Sequence, residues 1–182
     1  MSEPYKQCIT GMPSIRVTAG YPLYPSGSVH GGIDTVHGDH RAYAPKAGRV
    51  VVAHTWQGGT TGVDSWGNYI VVEFADREYW LAAHFSEQLH HVGDTIEAGE
   101  FIGIQGTTGN VTGVHTHWEY WSGGANTNYR QDPSPILGIP NAVGTYPVTW
   151  DTGSGPGPGP GPGPTPVASI PIWLLFKIKG GD

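Results

Sequence analysis

The residues of this sequence that are best suited to chemistry lie in two short histidine motifs. In the first, His115 and His117 are separated by one residue. Side chains two positions apart on a β-strand point to the same side, so both imidazoles and Glu119 are expected on one face. That face offers two nitrogen ligands or two bases side by side. A His-x-His pair alone is more often solvated or hydrogen-bonded in a core, so it does not identify a metal site.

The second motif is HGGID, residues 30–34. Its two adjacent glycines disfavour a helix and favour a tight backbone curl, which can bring His30 and Asp34 toward one point. Imidazole and carboxylate groups are both suited to zinc. Taken alone, the segment is better explained as a glycine turn with a capping aspartate and a surface histidine.

The two motifs together favour a metal site. His30, Asp34 and His117 form a set of two imidazoles and one carboxylate, which leaves the fourth position of a tetrahedral zinc ion for water. An open position is typical of a catalytic site. Structural zinc sites are usually closed, often by cysteines, and this chain has only Cys8. We therefore predict one Zn²⁺ per chain, held by these three residues.

The segments that must position these residues are typical of a loop-rich β protein. The chain has 29 glycines and 16 prolines, which interrupt nearly every window long enough for a helix. β-Branched and aromatic residues concentrate in five runs that we predict to be strands: residues 49–55, 68–74, 78–84, 101–105 and 115–121. The predicted fold class is mainly β, an antiparallel sheet with long loops.

The chain divides into three zones. Residues 1–150 carry the mixed pattern of a globular domain. Residues 151–166 centre on a Gly-Pro alternation that cannot pack, which predicts an extended linker. Residues 167–182 form a short apolar tail. The tail is expected to dock on another protein, a sheet edge or a membrane surface; folding back on its own domain and the remnant of a binding module are equal alternatives.

Composition and charge exclude several classes of function. The formal net charge of −6 argues against a nucleic-acid partner, which usually needs a basic face. No stretch reaches the ~20 apolar residues of a transmembrane segment. A single cysteine makes an intramolecular disulfide impossible. Residues 1–14 lack a basic start followed by an apolar run, so we expect no ordinary secretion signal.

The order of the motifs resembles that of the lysostaphin-type zinc endopeptidases, also called M23 or LytM-like peptidases. The resemblance covers about residues 24–121, and four scaffold positions depart from the family pattern: Val111, Val114, Thr116 and Trp118. The matching segments are HGGID (30–34), YAPKAGRV (43–50), GNYIV (67–71), LAAHFS (81–86), VGDTIEAG (92–99) and IGIQGTTGNVTGVHTHWE (102–119).

The resemblance implies a lysostaphin-like peptidase domain that hydrolyses peptide bonds in bacterial peptidoglycan. It gives His30, Asp34 and His117 the role of zinc ligands. It places His84 and His115 beside the metal as a catalytic pair. Which of the pair is the general base stays open, and we favour His115 because it shares a strand face with a ligand.

The resemblance implies a weaker assignment for Tyr24. Some members of the family have a tyrosine near this position that lines the oxyanion region. Tyr21 competes for this role, and an aromatic residue packed under the loop explains Tyr24 equally well. We interpret His37 and His40 as loop residues at the edge of the groove.

The predicted function is therefore that of a zinc endopeptidase acting on stem peptides or cross-bridges of peptidoglycan. The alternatives are a wall amidase and a non-catalytic binding or regulatory module, which would usually lack a ligand or a catalytic histidine. The linker, the tail and the expected absence of a secretion signal resemble a bacteriophage lysin or virion-associated lytic protein. We expect action at the cell wall, after release through a holin-type pore or on a virion; a bacterial enzyme with non-standard export is the alternative.

Overall fold

The computed structural model describes residues 4–151, and the predicted linker beyond residue 151 and the apolar tail of residues 167–182 lie outside that range. Residues 4–151 form twelve strands: β1 Tyr5–Gln7, β2 Ser14–Ala19, β3 Ile33–Val36, β4 Arg41–Tyr43, β5 Gly48–His54, β6 Asn68–Ala75, β7 Glu78–Gln88, β8 Thr95–Ile96, β9 Phe101–Gln105, β10 Thr116–Ser122, β11 Arg130–Gln131 and β12 Gly144–Trp150. Their helical segments are α1, Ser134–Leu137, and two 3₁₀ turns, Gly62–Trp66 and Thr127–Tyr129. No helix in this part of the chain is long and apolar enough to cross a membrane.

The strands form one sheet in the order β1-β12-β2-β3-β10-β7-β6-β5-β8, with β9 on β7, β4 on β9 and β11 on β10. Neighbouring strands are antiparallel except for the parallel pair of β1 and β12. The prediction of a mainly antiparallel β fold is confirmed. The five predicted strands correspond to β5, β6, β7, β9 and β10.

Both faces of the centre of the sheet are buried. In β7, Trp80 and Ala82 belong to the larger hydrophobic cluster, whereas Leu81 and Ala83 belong to a smaller cluster on the opposite face. This alternation follows from the two-residue period of a strand. The side chains of β10 that pair with Leu81 and Ala83 are those of Glu119 and His117, so the second histidine motif lies on the face of the smaller cluster.

A buried polar network ties together the strands beneath this face. The side-chain amide of Gln105 donates to Thr35 O and Thr116 Oγ1, both at 2.9 Å, and its oxygen accepts from the His37 backbone N–H at 2.9 Å. His37 is fully buried, and its ring nitrogens lie 2.6 Å from Arg41 O and 3.0 Å from Thr35 Oγ1. The expectation that His37 lies at the groove edge is wrong, because both nitrogens find partners inside the domain. Burial lowers its pKa to about 4.

Strand β7 is irregular at His84. The φ angle of this residue is 68°, in the left-handed region that residues with a Cβ rarely adopt. Pairing of β7 with β10 ends at Ala83, and pairing with β9 begins at Phe85. Regular alternation would aim His84 away from the face of Ala83. The irregularity instead re-aims its imidazole toward His117, with the ring centroids 5.7 Å apart.

We expect His84→Gly to be more stable than His84→Ala by about 1 kcal/mol, because glycine adopts this φ without the strain that a Cβ imposes. Denaturant unfolding followed by tryptophan fluorescence measures the difference. Ser86 provides the matched control, since it lies on the same strand, is exposed and does not have a positive φ. At Ser86 the glycine variant should be the less stable one, by about 0.5–1 kcal/mol. Lower stability of the glycine variant at both positions would contradict the strain at residue 84.

Candidate metal centre

The structure brings the three predicted ligands together at the end of the β3–β10 pair. Asp34 in β3 is the direct cross-strand partner of His117 in β10. His117 Nδ1 lies 2.8 Å from Asp34 Oδ1, and His30 Nε2 lies 3.2 Å from the same oxygen. The two nitrogens are 3.1 Å apart. All three side chains are buried and form a compact group of potential metal ligands, and two of them, His30 and His117, line a cleft.

His30 reaches this point from the loop before β3. Its backbone N–H donates to Pro22 O and its Nδ1 lies 2.7 Å from Gly20 O, so both ends of the residue are fixed to the preceding loop. Gly32 then allows the chain to pass against β10. A Cβ at this position would lie 1.9 Å from Trp118 O, which no residue but glycine avoids. The glycine curl expected between His30 and Asp34 is therefore present.

Hydrogen bonds fix which nitrogen of each ring is free. The partner of His30 Nδ1 is a backbone carbonyl, which only accepts, so Nδ1 carries the proton and Nε2 keeps a lone pair. His117 Nε2 donates to Glu119 Oε1 at 3.0 Å, so Nδ1 is the atom that carries the lone pair when the ring is neutral. Two lone pairs and the Asp34 carboxylate thus converge on one point.

This donor set fits zinc. Ligand atoms about 2 Å from a tetrahedral zinc ion lie about 3.3 Å from one another, close to the observed separations of 2.8 to 3.2 Å. Two imidazole nitrogens and one carboxylate oxygen are also chemically appropriate. His30, Asp34 and His117 are therefore the residues that can hold the ion.

The electrostatics of the site favour a positive charge at the point of convergence. Burial opposes the imidazolium form of His117, but hydrogen bonds with Asp34 and Glu119 outweigh it and raise its pKa to about 9. Burial likewise opposes ionisation of Asp34, yet its contacts with the His117 and His30 rings hold its pKa well below the usual range. The carboxylates that stabilise a proton on His117 also stabilise a metal cation, and binding of the metal displaces that proton.

The predicted catalytic pair lies beside these residues. His84 Nδ1 contacts Thr108 O at 2.9 Å and His115 Nδ1 contacts Gly113 O at 2.8 Å, so each Nδ1 carries a proton and each Nε2 has a free lone pair. The two rings are 4.8 Å apart, and His115 Nε2 lies 3.7 Å from Asp34 Oδ1. Burial, reinforced by the charges of His117 and His115, lowers the pKa of His84 to about 3, so this ring is neutral.

Tyr24 lies over the site, whereas Tyr21 does not. The Tyr24 ring stacks on His30 with centroids 3.9 Å apart, is 40% exposed and lines the cleft. Partial burial and the nearby carboxylates of Asp34 and Glu119 raise its pKa to about 12, so the hydroxyl keeps its proton at neutral pH. Tyr21 instead packs against the larger core cluster.

The cleft has a volume of about 190 Å³. Its walls combine the histidine motifs with the 3₁₀ turn before β6 and the loop before β10. The residues that line it are Tyr24, Val29, His30, Gly31, Ser65, Trp66, His84, Asn110, His117, Glu119 and Arg130. Two of the three converging side chains, His30 and His117, are among them.

Sequence reasoning missed the contributions of Glu119 and Arg130. The two-residue spacing predicts Glu119 on the face of His117, and this placement is the signal that could have identified its role. Arg130 reaches the site only because β11 pairs with β10, and no motif in the sequence marks that pairing.

Comparison with known proteins supports a family assignment. The sequence profile of peptidase family M23 matches residues 28–129. Lysostaphin from Staphylococcus simulans is 30% identical over 145 residues, which cover 73% of this chain and 27% of lysostaphin. The glycyl-glycine endopeptidase ALE-1 from Staphylococcus capitis is 33% identical over 123 residues, which cover 64% and 31% of the two chains. The peptidoglycan DD-endopeptidase ShyA from Vibrio cholerae is 36% identical over 70 residues, covering 38% of this chain and 16% of ShyA. The chain thus spans less than a third of the length of each of these relatives.

The fold is shared with a solved relative. The catalytic domain of the antimicrobial peptidase lysostaphin from Staphylococcus simulans matches with a TM-score of 0.58 and 29% identity, covering 67% of this chain and 91% of that domain. The matched family region, residues 28–129, includes all five histidine and aspartate residues of the site described above. Because that region is more than half of the sequence, the chain belongs to peptidase family M23.

Proposed function

We propose that this protein is a zinc metalloendopeptidase that hydrolyses peptide bonds in the stem peptides or cross-bridges of bacterial peptidoglycan. The observation that carries the proposal is the convergence of His30 Nε2, His117 Nδ1 and Asp34 Oδ1 on one point. Three protein ligands leave one position open for water or substrate, as in catalytic zinc sites. The names of ALE-1 and ShyA, two peptidoglycan or glycyl-glycine endopeptidases, support the choice of substrate.

Proton transfer is the task of the two histidines outside the ligand set. Zinc, when bound, supplies a Lewis acid that makes water nucleophilic at neutral pH and polarises a carbonyl group. His115 is the better general base, because it is partly exposed, whereas burial holds His84 neutral and disfavours its gaining a proton. Its Nε2 accepts the proton of the attacking water and later delivers it to the leaving amine. His84, held neutral, accepts a hydrogen bond that orients the water or the amine.

Tyr24 is the donor that can stabilise the oxyanion. Neither His84 nor His115 has a proton on Nε2 when neutral, so neither donates a hydrogen bond from that atom to the reacting carbonyl. The Tyr24 hydroxyl is protonated at neutral pH and belongs to a ring that lines the cleft. We assign it the hydrogen bond to the carbonyl oxygen as negative charge develops there.

The form of the cleft favours small residues at the bond that is cut. Its volume is limited and its floor is polar, so an extended peptide with glycine or alanine next to the scissile bond fits best. A non-catalytic binding module does not need His84 and His115 with fixed tautomers. A wall amidase with the same kind of metal site would cut a different bond, and the fragments released from the wall distinguish an amidase from an endopeptidase.

We also propose a setting at the bacterial cell wall, in which the protein acts as a phage-derived lytic enzyme. The support is the sequence alone: a Gly-Pro run at residues 155–164 followed by an apolar segment at residues 167–182. A linker of this kind attaches a catalytic domain to a second functional element. Delivery through a holin-type pore or on a virion, and docking of the tail on a protein or membrane surface, belong to the same proposal.

Substitution of a ligand and of a catalytic histidine should separate metal binding from chemistry. His117→Ala is expected to lose zinc and activity together, because one of three ligands is removed. His84→Ala should keep its zinc and lose about 10²- to 10⁴-fold in rate, the usual contribution of general acid–base groups. Zinc content by elemental analysis and clearing of purified cell walls measure the two properties.

His91→Ala is the matched control, since the side chain of His91 is 89% exposed. It should match the parent in both measurements. Full activity of His117→Ala or His84→Ala, or of the parent after chelation, would sink the proposal. Mass spectrometry of the released fragments then identifies the bond that was cut. Cleavage of the amide bond that joins the stem peptide to the glycan would favour the amidase instead.

The Tyr24 hydroxyl is expected to contribute to catalysis. Tyr24→Phe keeps the ring that stacks on His30 but removes the hydroxyl, so kcat should fall by about 10²-fold while zinc content and the unfolding midpoint stay unchanged. Tyr5→Phe, on the edge strand β1, serves as the control. An unchanged kcat in Tyr24→Phe would show that the residue only packs over the loop.

A further inference from the structure

We propose that Glu119 and Arg130 form a positioning pair that holds the His117 ring in the orientation and protonation pattern needed for metal binding. The inference rests on the proposed zinc site but concerns residues outside the ligand set. Neither residue reaches the point where the ligand atoms converge; Glu119 acts through His117, and Arg130 acts through Glu119.

The Glu119 carboxylate is buried and accepts hydrogen bonds on both of its oxygens. Its side chain is completely inaccessible to solvent. Oε1 accepts from His117 Nε2 at 3.0 Å, Trp66 Nε1 at 3.1 Å and Arg130 Nη2 at 2.6 Å. Oε2 accepts from Trp121 Nε1 and Arg130 Nε, both at 2.6 Å. Five hydrogen bonds from four side chains therefore fix one carboxylate, and through it one ring.

Every one of these partners donates an N–H hydrogen bond, so the side chain at residue 119 must be able to accept all of them. Indole and guanidinium N–H groups cannot act as acceptors. If residue 119 were glutamine, its NH₂ group would face at least one of these N–H donors in either orientation of the amide. A carboxylate is the acceptor-only group that satisfies all of them. Because this carboxylate takes the Nε2 proton of His117, the lone pair of the ring is kept on Nδ1, facing Asp34 and His30.

Arg130 makes the buried negative charge tolerable. Its guanidinium binds both oxygens of Glu119 and lies 5.9 Å from the centre of the Trp66 ring. An unpaired carboxylate at this depth would be strongly unfavourable. The position of Arg130 is set by its cross-strand pairing with Trp121.

Gly31 provides the space for this guanidinium. A Cβ at residue 31 would lie 2.5 Å from Arg130 Cζ and 2.6 Å from its Nε. Glycine at residue 31 leaves the room in which the arginine that neutralises Glu119 packs. The pair therefore contacts both histidine motifs: Glu119 binds His117, and Arg130 packs against Gly31.

The test compares zinc affinity in the full 182-residue chain and its variants. Glu119→Gln should weaken the zinc Kd by 10- to 100-fold, the usual effect of removing an outer partner of a histidine ligand. Competition with a chromophoric chelator measures this. Glu78→Gln is the matched control, because Glu78 also accepts two side-chain hydrogen bonds from β10, from Tyr120 and Ser122. Its zinc Kd should stay within about twofold of the parent value.

A spectroscopic readout separates positioning from a general loss of structure. In the zinc-loaded parent, long-range ¹H–¹⁵N NMR should show His117 protonated on Nε2, with that proton protected from exchange. In Glu119→Gln this proton should exchange rapidly, while cooperative unfolding is retained. Gly31→Ala provides a second route, since the three atoms nearest to its Cβ all belong to Arg130, which the new methyl group would displace. It should also weaken zinc binding, and it carries the test if Glu119→Gln does not fold.

The outcomes are distinct. A parent that binds zinc tightly, with Glu119→Gln and Gly31→Ala unchanged in Kd and in the His117 signal, overturns the positioning role and leaves the proposed function standing. A parent that does not bind zinc overturns the proposed function and this inference with it. Weaker binding in both variants, with Glu78→Gln unaffected, supports the positioning pair.

Discussion

The pairing of Asp34 in β3 with His117 in β10 is the contact on which the rest of the site depends. Strand side chains alternate between faces, so a slip of one residue in this register would send one of the two into the opposite face of the sheet. The register is held from below by the Gln105 amide, which binds both strands, and by Trp118 Nε1, which donates to Thr35 Oγ1 at 2.8 Å. The buried polar network is thus the reason why a carboxylate and an imidazole meet within the domain.

The pairing of Asp34 with His117 also places ionisable groups where burial opposes their charge. Asp34 and Glu119 are buried carboxylates on either side of the His117 ring, and burial by itself disfavours their ionised forms. Hydrogen bonds outweigh burial at both positions, and the pKa of Glu119 falls to about 2 through its bonds with His117 and Arg130. Two ionised carboxylates therefore lie next to the nitrogens of one imidazole ring. This arrangement is stable as long as a proton or a metal ion occupies the point between the ligands, which links folding of the site to its chemistry.

Much of this could be predicted from the sequence. The two-residue period of strands placed His117 and Glu119 on one face, and the glycines at 31 and 32 indicated a curl between His30 and Asp34. The family resemblance added His84 and His115. The irregularity at His84 could not be predicted, because alternation along β7 assigns this residue to the other face and only the left-handed φ brings it back. Arg130 was equally out of reach, since its place depends on a two-residue strand with no pattern of its own. His37 was misjudged because a histidine beside a Gly-Asp turn is typical of a surface loop, whereas here tertiary hydrogen bonds bury it.

Anomalous diffraction at the zinc absorption edge, from crystals of the protein grown with zinc, tests the central claim most directly. The account predicts one strong peak per chain, about 2 Å from His30 Nε2, His117 Nδ1 and an oxygen of Asp34, with His84 and His115 outside bonding distance of the metal. A peak coordinated by His84 or His115, or no peak at this point, would contradict it.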